Sequence, residues 1–411
     1  MRHLIFFIIP LLLIQPGCSS DNQNTEEGLK VIDVAGGVGK SRLVNLSEIA
    51  DTIEYIPLET NQESLLAHPP HERILYEKDI LYFPQKRGII KLFNSKGEYL
   101  STFNRLGRGP QEYEQFGELQ IDNVSGKIII LSINKVLEYS PNGECIRNIF
   151  LPAPNMIDNK SIGDFIMLGD NYFFLDGFKY PVIITDSSLN VIKRLKYPPE
   201  DVDLVKVEKS IPRFATSYIY LYKDRIRLIN GINKYVLSIN KDLSVDTVFI
   251  INYGKYSPEN TKSGSRNSLN YTSPYLWRYG NVLESDNYLF MRFHLGSLSD
   301  KPYKMHRNWK GSVRQLIDPN ACALFNKETE EFTFLDQPEI DQMGFVDDIE
   351  GGPAIWPKYV SADNYMVSYI LAEEFIAHAE SHKVSEKFKK IADGLKETDN
   401  YVFVRVKLKT D

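Results

Sequence analysis

Cysteine is scarce in this 411-residue chain. There are three, and Cys18 lies at the end of an apolar N-terminal leader. A disulfide-stapled scaffold is therefore excluded. Cys145 and Cys322 fall in separate strand-turn-strand segments and are expected to be small buried hydrophobes. A bond between them is conceivable outside the cytoplasm, but it needs two distant strands to meet. No apolar run approaches the roughly 20 residues that span a bilayer as a helix. Alanine-rich helical runs are rare. Neither charge sign dominates: Lys and Arg number 48, Asp and Glu 54, for a formal net charge of -6. That balance points away from nucleic acid and from anionic lipid as partners. No Ser-His-Asp order, catalytic carboxylate pair or Cys-His cluster stands out.

Aromatic residues are plentiful, with 24 Tyr and 22 Phe. One phrase recurs five times: IIKLFNSKGEYLSTF, VLEYSPNGECIRNIF, VIITDSSLNVIKRL, YVLSINKDLSVDTVFI and CALFNKETEEFTFL. Each joins two alternating apolar runs through a short polar turn and reads as a hairpin. The turns begin at Asn94, Ser140, Asp186, Asn240 and Asn326, spaced 46, 46, 54 and 86 residues apart. That is one four-stranded propeller blade plus insertions. The spacing predicts an all-β, six-bladed β-propeller over 31–411, with one helical insertion near 373–394. The sixth blade is expected to be closed by an extended piece from residues 31–60, so that both chain ends share one sheet.

Arg2, the apolar core Leu4 to Ile14 and Pro16-Gly17-Cys18 read as an export signal over residues 1–17. Gly17-Cys18, followed by the polar tether SSDNQNTEEG, resembles the lipobox of bacterial lipoproteins, with Gln15 where that pattern prefers Leu. The resemblance implies acylation of Cys18, a flexible tether over 18–30, and anchoring to the bacterial outer membrane by lipid alone.

Three further phrases, IEYIPLET, GRGPQEY and EGGPAIWPKYVSADN, resemble the six-bladed β-propeller lipoprotein family of gut-type bacteria. The likeness covers nearly the whole mature chain and implies a TolB-like or NHL-like propeller of largely uncharacterised function. It transfers no catalytic residue.

Turns between first and second strands, and between third and fourth, are short. The long segments 107–116, 152–164, 198–213, 252–275, 296–320, 337–356 and 372–400 join second to third strands or one blade to the next. Both of those connection types emerge on one face of a meandering blade, where a binding surface is expected. Candidate ligand-binding residues follow from that placement. Arg105, Arg108, Glu112 and Tyr113 lie in GRGPQEY, where a guanidinium in the axial funnel would hold a carboxylate or sugar acid. The competing reading is a glycine-proline turn with locally paired arginines. Asp347, Asp348, Trp356 and Lys358 lie in VDDIEGGPAIWPK, carboxylates near an aromatic ring that suit calcium or a sugar. Trp277, Trp309 and Trp356, with Tyr253, Tyr256, Tyr271, Tyr275, Tyr279 and Tyr303, either stack on a ligand or form small cores under the loops.

Two motifs fall short. VAGGVGKS at 34–41 lacks the first glycine of a phosphate-binding loop and reads as a flexible strand connection. His378 and His382 lie one helical turn apart beside Glu374, on a surface expected to be solvated, and metal binding needs more ligands. No cofactor is expected, apart from an ion such as calcium that the channel would admit. The leading expectation is a ligand-binding or protein-interaction module for a glycan, a peptide or an outer-membrane protein. A polysaccharide hydrolase or lyase working at the funnel through Asp347 or Asp348, and a structural subunit of an outer-membrane complex, are the alternatives.

Overall fold

The computed structural model describes residues 28–67, 74–85, 88–114, 117–132, 135–151, 165–175, 182–196, 218–230, 233–257, 274–309 and 311–410. Cys18, Tyr271 and the 152–164 and 198–213 segments lie outside them. Two strands precede the ring, β1 (Lys30–Ile32) and β2 (Ala50–Pro57). Blade one is β3 (Leu75–Glu77), β4 (Ile80–Pro84), β5 (Ile90–Asn94) and β6 (Tyr99–Phe103). Blade two is β7 (Glu118–Ile121), β8 (Ile128–Leu131), β9 (Lys135–Tyr139) and β10 (Cys145–Phe150). Blade three is β11 (Phe165–Leu168), β12 (Asn171–Leu175), β13 (Val182–Thr185) and β14 (Val191–Leu195). Blade four is β15 (Tyr218–Tyr222), β16 (Arg225–Ile229), β17 (Tyr235–Ile239) and β18 (Val245–Ile251). Blade five is β19 (Trp277–Glu284), β20 (Tyr288–His294), β23 (Asn320–Asn326) and β24 (Phe332–Phe334), with a separate hairpin, β21 (Tyr303–Trp309) and β22 (Ser312–Asp318), between its second and third strands. Blade six is β25 (Tyr359–Val360), β26 (Tyr365–Ile370) and β27 (Val402–Leu408), closed by β2.

The blades are antiparallel sheets and together form the six-bladed propeller expected from the repeats. Inner strands read as continuous apolar runs because each sheet is packed on both faces by its neighbours. Every residue of β8 (IIIL) and β11 (FIML) is buried. The outermost strands β6, β10 and β14 are half polar and largely exposed. Separate apolar clusters fill the seams between blades one and two, two and three, three and four, and six and one.

The recurring turns close by one local device. The Asn94, Asp186 and Asn326 side chains each accept two backbone N–H bonds from inside their own turn. A later turn residue takes positive φ: Gly97, Gly143, Leu189, Leu243 and Glu330. Glycine is free there, and the two leucines and Glu330 bear the strain.

The N-terminal segment does more than close blade six. β2 pairs with β27 from Ala50 to Pro57, as expected. β1, however, adds a fifth, parallel strand to the outer edge of blade four, with Ile32 opposite Ile251. Between them Arg42 bonds to Phe334 and Asp336 at blade five, and Val44 and Leu46 bond to Val346. Residues 30–57 thus form a strap across three blades. Within it VAGGVGKS is not a loose connection. Val34–Gly37 forms one helical turn that is capped by Asp33 and packs Gly37 on Phe332.

The helical insertion is broken in two, Ala372–Ser381 and Glu386–Asp393. The first run ends at Ser381 with His382 as its cap, and the Ser385 hydroxyl accepts from Phe388 N and starts a new helix. The two helices lock through Phe375 stacked on Phe388 at 3.9 Å. His378 is buried between them rather than solvated.

Candidate functional site

The first strands of all six blades line a central cavity of about 110 Å³. Polar side chains tie alternate seams there. Tyr359 Oη donates to Glu77 at 2.6 Å across blades six and one, and Tyr220 Oη donates to Glu284 at 3.0 Å across blades four and five. Gln120 bonds both backbone groups of Met167 across blades two and three, at 2.7 and 2.8 Å. Burial raises the Glu77 pKa, opposed by the Tyr359 bond. Behind the wall, Glu284 also receives Arg227 at 3.0 Å and Lys327 at 3.1 Å, so one carboxylate holds two buried cations.

A larger cavity of about 590 Å³ opens on the loop face between blades five and six. Asn281, Leu283 and Lys358 line both spaces, which makes the larger one the mouth of the channel. Its walls come from β20 (Phe290, Arg292), β26 (Ser368, Tyr369), the 340–357 loop and the helix Ala372–Ser381. Trp356 lies parallel to Phe345 at 5.8 Å and edge-on to Phe290, which fixes the indole on the wall. Lys358 Nζ lies 5.6 Å from the centre of the Tyr369 ring. Arg292 is held by Asp318 at 2.8 Å and over the Tyr279 ring. His378 and His382 stack face to face at 4.1 Å, bonded to Gly351 O at 3.0 Å and Glu339 at 3.1 Å. Burial lowers the His378 pKa, and burial raises that of Glu374. The mouth thus offers aromatic surface, Lys358, the Asp318-paired Arg292 and a few acids in a space sized for a small ligand.

The structure brings two of the expected residues, Trp356 and Lys358, into this mouth. The others lie elsewhere. Arg105 clamps the Gly143 carbonyl at 2.7 and 3.1 Å, and Arg108 is exposed, 3.7 Å from Glu114. Glu112 accepts from Gly109 N at 2.8 Å, and buried Tyr113 donates to Gly88 O at 2.6 Å. GRGPQEY is a self-closed turn that lines neither cavity. Asp347 is buried, accepting from Tyr55 Oη and from Ile349, Glu350 and Gly352 N–H groups at 2.7–3.0 Å. Asp348 accepts from Ser47 N at 2.9 Å and from its hydroxyl. Both carboxylates pin the 347–352 loop to the strap and to β2. Trp277 is fully buried, stacked on His294 at 3.8 Å. Tyr253 and Tyr303 are likewise buried under their loops. Trp309 ends β21, and its side chain lies outside the described residues. Cys322 is buried, Cys145 is only half-buried, and both thiols are free.

Arg292 and Tyr369 were not anticipated at the site, and His378, His382 and Glu374, weighed in the sequence only as metal ligands, line it as well. Arg292 had a signal, a lone cation within the apolar run YLFMRFH. Among the described residues no three His, Cys, Asp or Glu side chains gather as a metal site, and no helix is long and apolar enough to cross a membrane.

A six-bladed propeller whose channel opens into a loop-built mouth defines a broad class of folds. Within it, the chain belongs to the family described as Domain of unknown function (DUF4934), which matches residues 29–407. No curated protein matches the sequence. Among solved structures it is similar to protein BF0058 of Bacteroides fragilis NCTC 9343, whose name provisionally describes it as exported. The identity is 16%, 92% of this chain and 100% of that one are covered, and the TM-score is 0.65. It also resembles a member of the DUF4221 family from Bacteroides vulgatus at 11% identity, covering 88% and 97% with a TM-score of 0.48. The first likeness concerns the fold alone.

Proposed function

We propose that this protein is an exported, lipid-anchored binding module that captures a small ligand, a glycan or a short peptide, in the mouth between blades five and six. The observation that carries the reading is the fixed Trp356 indole beside Lys358 and Arg292 in a cavity of about 590 Å³ joined to the axial channel. A rigid ring over an apolar wall stacks on a sugar face or an aromatic side chain, and Lys358 on the same wall favours ligands with an acidic group. The leader and Gly17-Cys18 support export and acylation at Cys18.

The test is an array of neutral and acidic glycans and short peptides probed with the protein, with Trp356→Ala and Lys358→Ala beside it. Trp356→Ala is expected to weaken a hit by about tenfold or more, the loss typical of a buried aromatic anchor. Lys358→Ala is expected to weaken acidic ligands more than neutral ones. Silence across the array, or hits indifferent to both changes, would sink the reading.

A further inference from the structure

The hairpin β21–β22 is built unlike the blades. Ser312 to Ile317 are all exposed, with Val313 at 69%, Leu316 at 40% and Ile317 at 49%. A two-stranded ribbon is marginal in water unless something packs on it. Its two edges are treated differently. On β21, Lys304 N and O bond to the Gln337 side chain, Asp341 N bonds to Lys304 O, and His306 N bonds to the Asp341 carboxylate. The backbone of Lys304 and His306 therefore points out of the ribbon, into the 337–341 loop. Their register partners on β22 are Ile317 and Gln315. In an antiparallel pair such residues turn their N–H and C=O groups outward on both strands. Val313, Gln315 and Ile317 thus present a bare edge, with no partner for it among the described residues.

Charge gives the occupant. The ribbon sequence carries Lys304, Arg307, Lys310 and Arg314 against Asp318 alone, in a chain of net charge -6. Asp318 is already bonded to Arg292. Arg307 and Arg314 stand directly opposite each other across the ribbon, an arrangement that destabilises a free hairpin. Among the described residues neither has a carboxylate partner. The faces alternate: Ser312, Arg314 and Leu316 share one side, Val313, Gln315 and Ile317 the other.

We infer that β22 is a docking edge for an acidic, extended polypeptide segment of a partner protein, added as a third strand. Main-chain bonds to Val313, Gln315 and Ile317 hold it, and its carboxylates meet Arg307 and Arg314. The edge residues do not line the blade five–six mouth, although the ribbon touches its wall through Asp318 on Arg292 and His306 on Asp341.

The probe is the labelled heptapeptide Glu-Val-Glu-Val-Glu-Val-Glu, which sets carboxylates on the arginine face and valines beside Val313 and Ile317. Controls are a Lys-for-Glu version and heptaglutamate. The full chain is compared with Arg314→Glu and with Gln315→Pro. Proline at an outward-facing edge position removes one outward N–H and no ladder bond within the hairpin. Binding of the alternating peptide, weakened at least tenfold by Arg314→Glu and abolished by Gln315→Pro at unchanged melting temperature, is the expected result. Hydrogen exchange should slow at Val313, Gln315 and Ile317 in the same complex. Equal binding of heptaglutamate, survival of binding in Gln315→Pro, or no binding of the alternating peptide would overturn the inference. So would equal retention of wild type and Gln315→Pro on phosphatidylglycerol vesicles with the peptide silent.

Discussion

Gly97 occupies the turn of blade one that faces the closing strand. Its φ is +85°, and a Cβ there would sit 2.3 Å from the Pro57 carbonyl oxygen at the end of β2. The Gly97 carbonyl also accepts from Glu59 N at 2.8 Å, so turn and strand are mutually placed. Gly169 has φ +62° and open space around it. Gly169→Ala is expected to lose only the backbone preference, about 1 kcal/mol. Gly97→Ala must in addition displace backbone and is expected to lose clearly more, read as a larger fall in the urea midpoint. Equal losses would mean that the contact with Pro57 relaxes freely. The same scale decides what GRGPQEY and VDDIEGG do. Arg105, Glu112, Asp347 and Asp348 are bonded to backbone or hydroxyl groups of their own or adjoining segments and shape the loops, while exposed Arg108 meets only Glu114 at 3.7 Å.

At the scale of elements, the helix pair carries a titration with a clear structural setting. His378 is buried against Phe388 and His382, and its Nε2 meets Gly351 O. Burial is the main cause of its lowered pKa, and the carbonyl opposes it in part. The unfolded chain takes up a proton near pH 6.5, where the folded chain resists it. This contribution to stability is therefore complete above that pH and declines as pH falls below it. The drop in melting temperature from pH 7.5 to 5.5 is expected to shrink in His378→Gln, and an identical drop would exclude the histidine as its source.

The hairpins of the blades were legible because their signals are local. An Asn, Asp or Ser opens each turn, a residue of positive φ follows, and apolar alternation flanks both. β21–β22 escaped notice because its charged, exposed run lacks that alternation. The mouth escaped because its walls come from β20, β26 and the first helix, which sequence order sets far apart. Trp356 and Lys358 were visible there as unusual residues in a glycine-rich loop, and His378, His382 and Glu374 only as an incomplete metal-ligand set. The break at Ser385 was hidden by a helical periodicity that resumes beyond it.

For the whole molecule, stability rests on ring closure, and the strap makes closure more than one strand deep. β2 completes blade six, while β1 and residues 42–46 fasten the same segment to blades four and five. The two parts do different work, so two truncations should separate them. Removal through Lys40 deletes β1 and its helical turn but leaves β2 and the bonds of Arg42, Val44 and Leu46. It should lower the melting temperature while leaving a cooperative monomer, because blade four keeps its four antiparallel strands. Removal through Pro57 leaves β27 as an open edge beside buried Phe403, Val404 and Val406. That form is expected to self-associate on a sizing column and to lose a single cooperative transition. A peptide of residues 41–60 added in trans should restore the monomer by pairing with β27. A monomeric, cooperatively melting protein after the longer truncation would show that the inter-blade cores alone hold the ring.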